Sequence, residues 1–96
     1  GEKTERNAID VVNGKNVGYV VPQKIDKNVK GNVKLFFRVT NTFRNCTITA
    51  KCGDTVLLQR KKQIAVPGEM ETLILSENKL ANVDGKIEVY LEEAAQ

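Results

Sequence analysis

The run VKLFFRVT, residues 33–40, decides how this chain is read. Val33, Leu35, Phe37 and Val39 share one parity, and Lys34, Phe36, Arg38 and Thr40 share the other. Alternation of this kind is the mark of a β-strand with one side in a core and one in solvent. Phe36 is the exception, an aromatic on the polar side. Either neighbouring Lys and Arg stems cover it, or it sits beneath a partner. No 3.6-residue pattern of useful length competes elsewhere in the chain.

Working outward, the same period recurs. IDVV (9–12) reads as a short strand ended by the turn pair Asn13-Gly14. In VGYVVPQKI (17–25), Val17, Tyr19 and Val21 fall on one face, and Pro22 then interrupts the ladder, as at an edge or bulge. DKNVKGN (26–32) is a polar connection, and NTFRN (41–45) reads as a loop. In NCTITAKCG (45–53) the even positions Cys46, Ile48, Ala50 and Cys52 are expected to be buried, and Gly53-Asp54 makes the next turn. TVLLQRKKQIAV (55–66) has Val56, Leu58, Ile64 and Val66 of one parity with Arg60 and Lys62 between them. That pattern predicts a break or bulge near 59–62, or two short strands joined there.

AVPGEMETLIL (65–75) follows. Pro67 presets a turn, Gly68 tolerates a positive φ, and METLILS becomes the next strand. ENKLANVDG (77–85) is a longer connection with one helical turn. KIEVYLEE (86–93) closes the domain with Ile87, Val89 and Leu91 inward and Lys86, Glu88, Tyr90 and Glu92 outward. Residues 1–8 read as a polar linker and 9–93 as the domain. The expected fold is all-β, an immunoglobulin-like β-sandwich of about seven antiparallel strands. A closed barrel would satisfy the same pattern. The Cys…Trp…Cys hallmark of antibody domains is absent, because the chain has no Trp.

Composition bounds the chemistry. Ninety-six residues make one domain with a modest core and little room for a deep cavity. With 5% aromatic residues, that core must rest on Val, Ile and Leu. The net charge of +3 is unevenly spread. Residues 15–62 carry eleven Lys or Arg against Asp26 and Asp54, whereas 63–96 carry seven acids against Lys79 and Lys86. Such runs usually make solvated strand faces; the sharper reading is a docking surface for a complementary domain. The basic residues are not interleaved with stacking aromatics, so nucleic acid is not expected as a partner. No apolar run approaches the roughly 18 residues a membrane helix needs. The N-terminal GEKTERNAID has no apolar signal core, and a cytoplasmic location is expected.

The absence of histidine removes Ser-His-Asp, Cys-His and His-metal sites from this chain. There is no G-x-G-x-x-G and no P-loop. Cys46 and Cys52 are six residues apart, about 20 Å along an extended strand, whereas a disulfide needs Cα atoms within about 7 Å. They read as small buried apolar residues in a reducing compartment. NCT (45–47) matches the glycosylation acceptor pattern, but nothing else signals secretion and the match is read as chance. The acid pairs Glu69/Glu71 and Glu92/Glu93 read as exposed solubilising residues. QRKKQ (59–63) alternates between faces and so makes a poor anion cluster. No catalytic, cofactor-binding or metal-ligating residue is assigned.

VNGKNVGYVVPQKI (12–25), VKLFFRVTN (33–41) and VPGEMETLIL (66–75), in this order, carry a family likeness across residues 9–92. They resemble the β-rich C-terminal extension of a bacterial, clostridial-type family of FAD-dependent pyridine nucleotide-disulfide oxidoreductases. Where that family reads APGEME, this chain has Val66 between Ala65 and Pro67. The resemblance implies a non-catalytic accessory or interaction domain. Its parent enzyme would bind FAD and NAD(P), with neither site on this chain. The implied partner is the flavoprotein body of the same polypeptide or a second subunit. Phe36, Tyr90, Lys34, Arg38 and Lys51 are the candidate contact residues, because two aromatics fall on otherwise polar strand faces. Cys46 and Cys52 do not match the closely spaced redox pair of that superfamily. The alternative is an immunoglobulin-like module of a bacterial surface or adhesion protein.

Overall fold

The alternation of VKLFFRVT is realised in β4 (Val33–Val39), where Leu35, Phe37 and Val39 are buried and Lys34, Phe36 and Arg38 face solvent. The computed structural model describes residues 8–26, 30–81, 83 and 85–94. The expected linker lies outside them except for Ala8, the first residue of β1 (Ala8–Asn13). β2 (Val17–Val21), β3 (Lys24–Asp26), β5 (Phe43–Cys52), β6 (Thr55–Ala65), β7 (Glu71–Leu75), a helical turn α1 (Glu77–Ala81) and β8 (Lys86–Glu93) complete the described elements.

The strands form two sheets. Sheet A runs β3-β1-β8-β5-β6, and sheet B runs β2-β4-β7. Among the described residues eight strands stand where about seven were expected, the short β3 being the addition. They are not all antiparallel: β1 pairs in parallel with β8, from Asp10↔Lys86 to Asn13↔Val89. The first strand lies beside the last because Val11 and Ile87 both bury their side chains there. Two pairings interlock the layers. β4 pairs with β7 in sheet B, while β5, which follows β4, pairs with β8 in sheet A. The chain changes sheet after every strand but β5, which pairs with β6 in the same sheet, and one hydrophobic core fills the space between the layers. Val, Ile and Leu dominate that core, with Phe37 and Phe43 as its aromatics.

Phe43 corrects the sequence reading. NTFRN is not wholly a loop: β5 begins at Phe43, whose ring is buried opposite Ala65. Cys46 is buried too, three residues on, although a regular strand would turn Phe43 and Cys46 to opposite sides. The strand rolls over between them at Asn45, whose φ is +52°. Asparagine tolerates this left-handed conformation better than other non-glycine residues.

β6 is the larger correction. It is one continuous strand, with no break at 59–62. The register shift comes earlier, where Ala50 pairs with Leu58 but Lys51 pairs with Val56, leaving Leu57 as the extra residue. This bulge turns Leu57 into the core and Val56 out, at 50% exposure. Ile64, of the same parity as Val56 and Leu58, is 42% exposed. Residues paired across an antiparallel ladder share a side. Arg60 opposite Ile48, and Lys62 opposite Cys46, therefore point to the core side of the sheet. Their charges are accommodated because β6 is the sheet's edge, and both reach across to β7. Arg60 Nη1 donates to the Thr72 carbonyl at 3.1 Å, and Lys62 Nζ meets Glu71 Oε1 at 2.6 Å. Glu71, expected to be exposed, is buried.

The opposite rim is closed by Asn13, whose Nδ2 donates to the Val17 and Gly18 carbonyls at 3.0 and 3.3 Å. Asn16, at φ +66°, donates from Nδ2 to the Leu91 carbonyl at 2.8 Å. The turn that carries Asn16 thus also protects the strand edge of β8 beyond the reach of β1. Around Pro67-Gly68 the turn closes through Glu69 N donating to Val66 O at 3.2 Å. The left-handed glycines are Gly31, Gly53 and Gly85 rather than Gly68. The expected Gly53-Asp54 turn is present as the two-residue loop between the paired Cys52 and Thr55. The expected helical turn is α1, which buries Leu80.

Candidate functional site

Sheet B keeps an apolar surface on its outer side. Phe36 comes first, because its neighbours Leu35 and Phe37 are fully buried while Phe36 itself is 37% exposed. Val21 lies directly across from Phe36 on β2, and Thr72 directly across on β7. Tyr19 pairs with Arg38 on one side of this row, and Lys34 pairs with Ile74 on the other. Since cross-strand partners share a side, these residues form one face. Tyr19, Val21 and Ile74 are 41%, 38% and 50% exposed on it.

Tyr19 reaches this face through a local irregularity. The register of β2 against β4 shifts between Val17 and Tyr19, so Val17 and Val20 stay in the core while Tyr19 and Val21 turn out. Sequence parity had put Val17, Tyr19 and Val21 together. The bulge at Gly18 separates Val17 from the other two.

The face is apolar at its centre and basic at its margins. Lys34 and Arg38 are exposed there. Among the described residues, no carboxylate occupies an outward position of β2, β4 or β7, since Glu71 faces Lys62.

The five candidate contact residues divide between the two sheets. Phe36, Lys34 and Arg38 belong to the face just described. Tyr90 and Lys51 lie on sheet A, where the Lys51 ammonium sits 5.1 Å above the centre of the Tyr90 ring. Both are half-buried and already engage each other. Next to Tyr90 on β5, Thr49 is buried and accepts a hydrogen bond from Gln59 Nε2 at 3.3 Å. Tyr19, Val21 and Ile74 were missed at the sequence level. The available signal was Ile74, an apolar residue out of phase with Leu73 and Leu75, but alternation alone gives no way to join it to Phe36.

The concavities offer little chemistry. One of about 400 Å³ is lined by Asn45, Cys46, Thr47, Lys61, Lys62, Gln63 and Ala94. Cys46 is its nucleophile by type only. Its Sγ donates to the Lys62 carbonyl at 3.7 Å. Burial pushes the thiol up from its ordinary value of 9.0, with a backbone hydrogen bond and the Lys62 charge partly opposing. A thiol so held is a poor thiolate. The second concavity, about 430 Å³, sets Asp10 between Lys24 and Lys86 on adjacent strands. Among the described residues no cluster of three or more His, Cys, Asp or Glu could hold a metal ion. Nor is any helix among them long and apolar enough to cross a membrane. Cys46 and Cys52 stand as thiols toward opposite ends of β5.

Comparisons with family models, with curated proteins and with solved structures return no match for this chain.

Proposed function

We propose that this chain is a non-catalytic interaction domain that docks onto another protein surface through the outer face of β2, β4 and β7. The observation that carries the reading is the joining of Tyr19, Val21, Phe36 and Ile74 into one exposed apolar face. A protein that keeps such a patch in water forgoes burial worth about 25 cal/mol per Å², and the largest apolar patch on a monomer, typically about 300–600 Å², is often the functional one.

The resemblance supports a more specific form. Its three stretches contain β2, β4 and β7, the strands of this one sheet. On this reading the domain is the C-terminal accessory part of a FAD-dependent, NAD(P)-using oxidoreductase. The flavoprotein body is its partner, and both cofactors are bound outside this chain. An immunoglobulin-like topology fits the interlocked pairs β4–β7 and β5–β8. A cytoplasmic setting fits two cysteines kept as thiols.

The test is made in the full-length gene product. Phe36→Asp combined with Ile74→Asp places two charges in the face, and Tyr90→Asp serves as the comparison on the other sheet. The expected result is release of the domain from the body, seen as increased proteolytic separation and a change in oligomeric state or flavin-linked turnover. The comparison variant should leave these unchanged. Unaltered behaviour in the double variant would refute the docking role. A gene product without a flavoprotein sequence, or one that binds no FAD, would refute the assignment of the body.

A further inference from the structure

Resting on that docking reading, we infer that the occupant of the β2-β4-β7 face is an acidic-rimmed apolar surface belonging to the same polypeptide, and not a second copy of this chain. Two observations lead there, one of charge and one of area.

The charge argument begins with Lys34 and Arg38. They occupy outward positions on the central strand of the face, two residues to either side of Phe36, and among the described residues no outward carboxylate of the sheet balances them. A face-to-face contact between two copies would set four cations around one apolar centre, with no outward carboxylate of either sheet B to pair with them. Like charges brought together in this way oppose association. A partner carrying Asp or Glu around an apolar centre would pair with both cations at the rim while Phe36, Val21 and Ile74 lose water. Arg38 is cross-strand neighbour to Tyr19, and Lys34 to Ile74, so the two cations sit on opposite sides of the apolar row. The partner's carboxylates are therefore expected on both sides of its apolar patch.

The area argument sets the tethering. Three strands spaced about 4.8 Å apart and about 20 Å long give a flat footprint of roughly 300 Å². Stable association of independent proteins usually takes about 800 Å² from each partner. A contact this small holds when the partner is covalently joined, because tethering replaces the cost of free association with a high effective concentration. A freely diffusing second copy seated on this sheet alone would bury less than a standard interface does.

Hydroxyl-radical labelling of Tyr19 and Phe36 tests the inference, comparing the 96-residue chain with the full-length gene product. The expected result is free labelling in the isolated chain, which stays monomeric in sedimentation, and several-fold protection in the full-length protein. High salt, or Lys34→Glu with Arg38→Glu, should restore labelling. Protection that persists through both treatments would overturn the acidic rim and leave the docking role standing. Protection in the isolated chain, with a dimer that Phe36→Asp dissociates, would make the occupant a second copy and overturn the inference. Protection of the isolated chain by a single-stranded oligonucleotide would replace protein docking with nucleic-acid binding and overturn both readings. Equal labelling in the isolated and full-length proteins would also remove both.

Discussion

Lys62 on β6 and Glu71 on β7 form an ion pair, Nζ to Oε1 2.6 Å, between the edges of the two sheets. The pair is asymmetric: the lysine side chain is 27% exposed and the glutamate 8%. Removing Lys62 leaves a buried carboxylate without its cation, which costs more than the pair's net worth. Lys62→Met should lower stability by about 2 kcal/mol, whereas Lys62→Met with Glu71→Leu should recover most of that loss. Chemical denaturation of both variants checks it. A double variant no more stable than the single one would show that the pair itself holds the sheets together.

Phe36 and Phe37 are adjacent but belong to different environments, one 37% exposed and one fully buried. Phe37→Ala should cost about 3–5 kcal/mol by leaving a cavity in the core. Phe36→Ala should cost less than about 1 kcal/mol, the range of exposed strand substitutions. Urea unfolding of the two variants separates them, and equal losses would mean that Phe36 is not outside.

Asn16 does two things at once. Its φ of +66° favours Gly or Asn, and its side chain donates to the Leu91 carbonyl. Asn16→Gly keeps the backbone and loses the bond, for about 1 kcal/mol. Asn16→Ala loses the bond and strains the turn, for about 2 kcal/mol. Thermal denaturation should rank the wild type first, then Gly, then Ala.

Cys46 makes stability depend on alkaline pH. Burial raises its thiol above the ordinary value of 9.0, against the weaker pull of the backbone bond and Lys62. The folded state thus holds its proton to higher pH than the unfolded chain does. Its contribution is fully present below the unfolded value and is lost as pH rises toward the folded one. Wild-type stability under reducing conditions should fall more steeply above about pH 9 than that of Cys46→Ala. Parallel slopes in the two proteins would show that the thiol is not the titrating group.

Much of this fold is legible locally. β4 and β8 alternate without interruption, and their inward sets, Leu35-Phe37-Val39 and Ile87-Val89-Leu91, are buried as read. Cys46, Ile48 and Ala50 are also buried as the parity of β5 requires, while Cys52 at the strand's end is half-buried. Phe36 announced itself as an anomaly on a polar face. Its companions did not, because Val21 lies fifteen residues before it and Ile74 thirty-eight after, and nothing in a local period says which distant strand will lie alongside. Arg60 and Lys62 misled for a related reason. Charged residues on the core side of a strand imply a break unless the strand is an edge with an acceptor and a carboxylate waiting across the gap.

The sequence by itself determined that the chain is built of short strands, which side chains of β4 and β8 go inward, and that no histidine-based chemistry is available. A period of two is a property of the extended backbone and needs no partner to be read. The tertiary structure alone decided that β1 lies parallel to β8, that Glu71 is buried, that Leu57 rather than Val56 enters the core, and that four scattered apolar residues make one surface. Those outcomes depend on register between distant segments, and a single bulge, as at Leu57 or Gly18, reverses the side to which the following residues point.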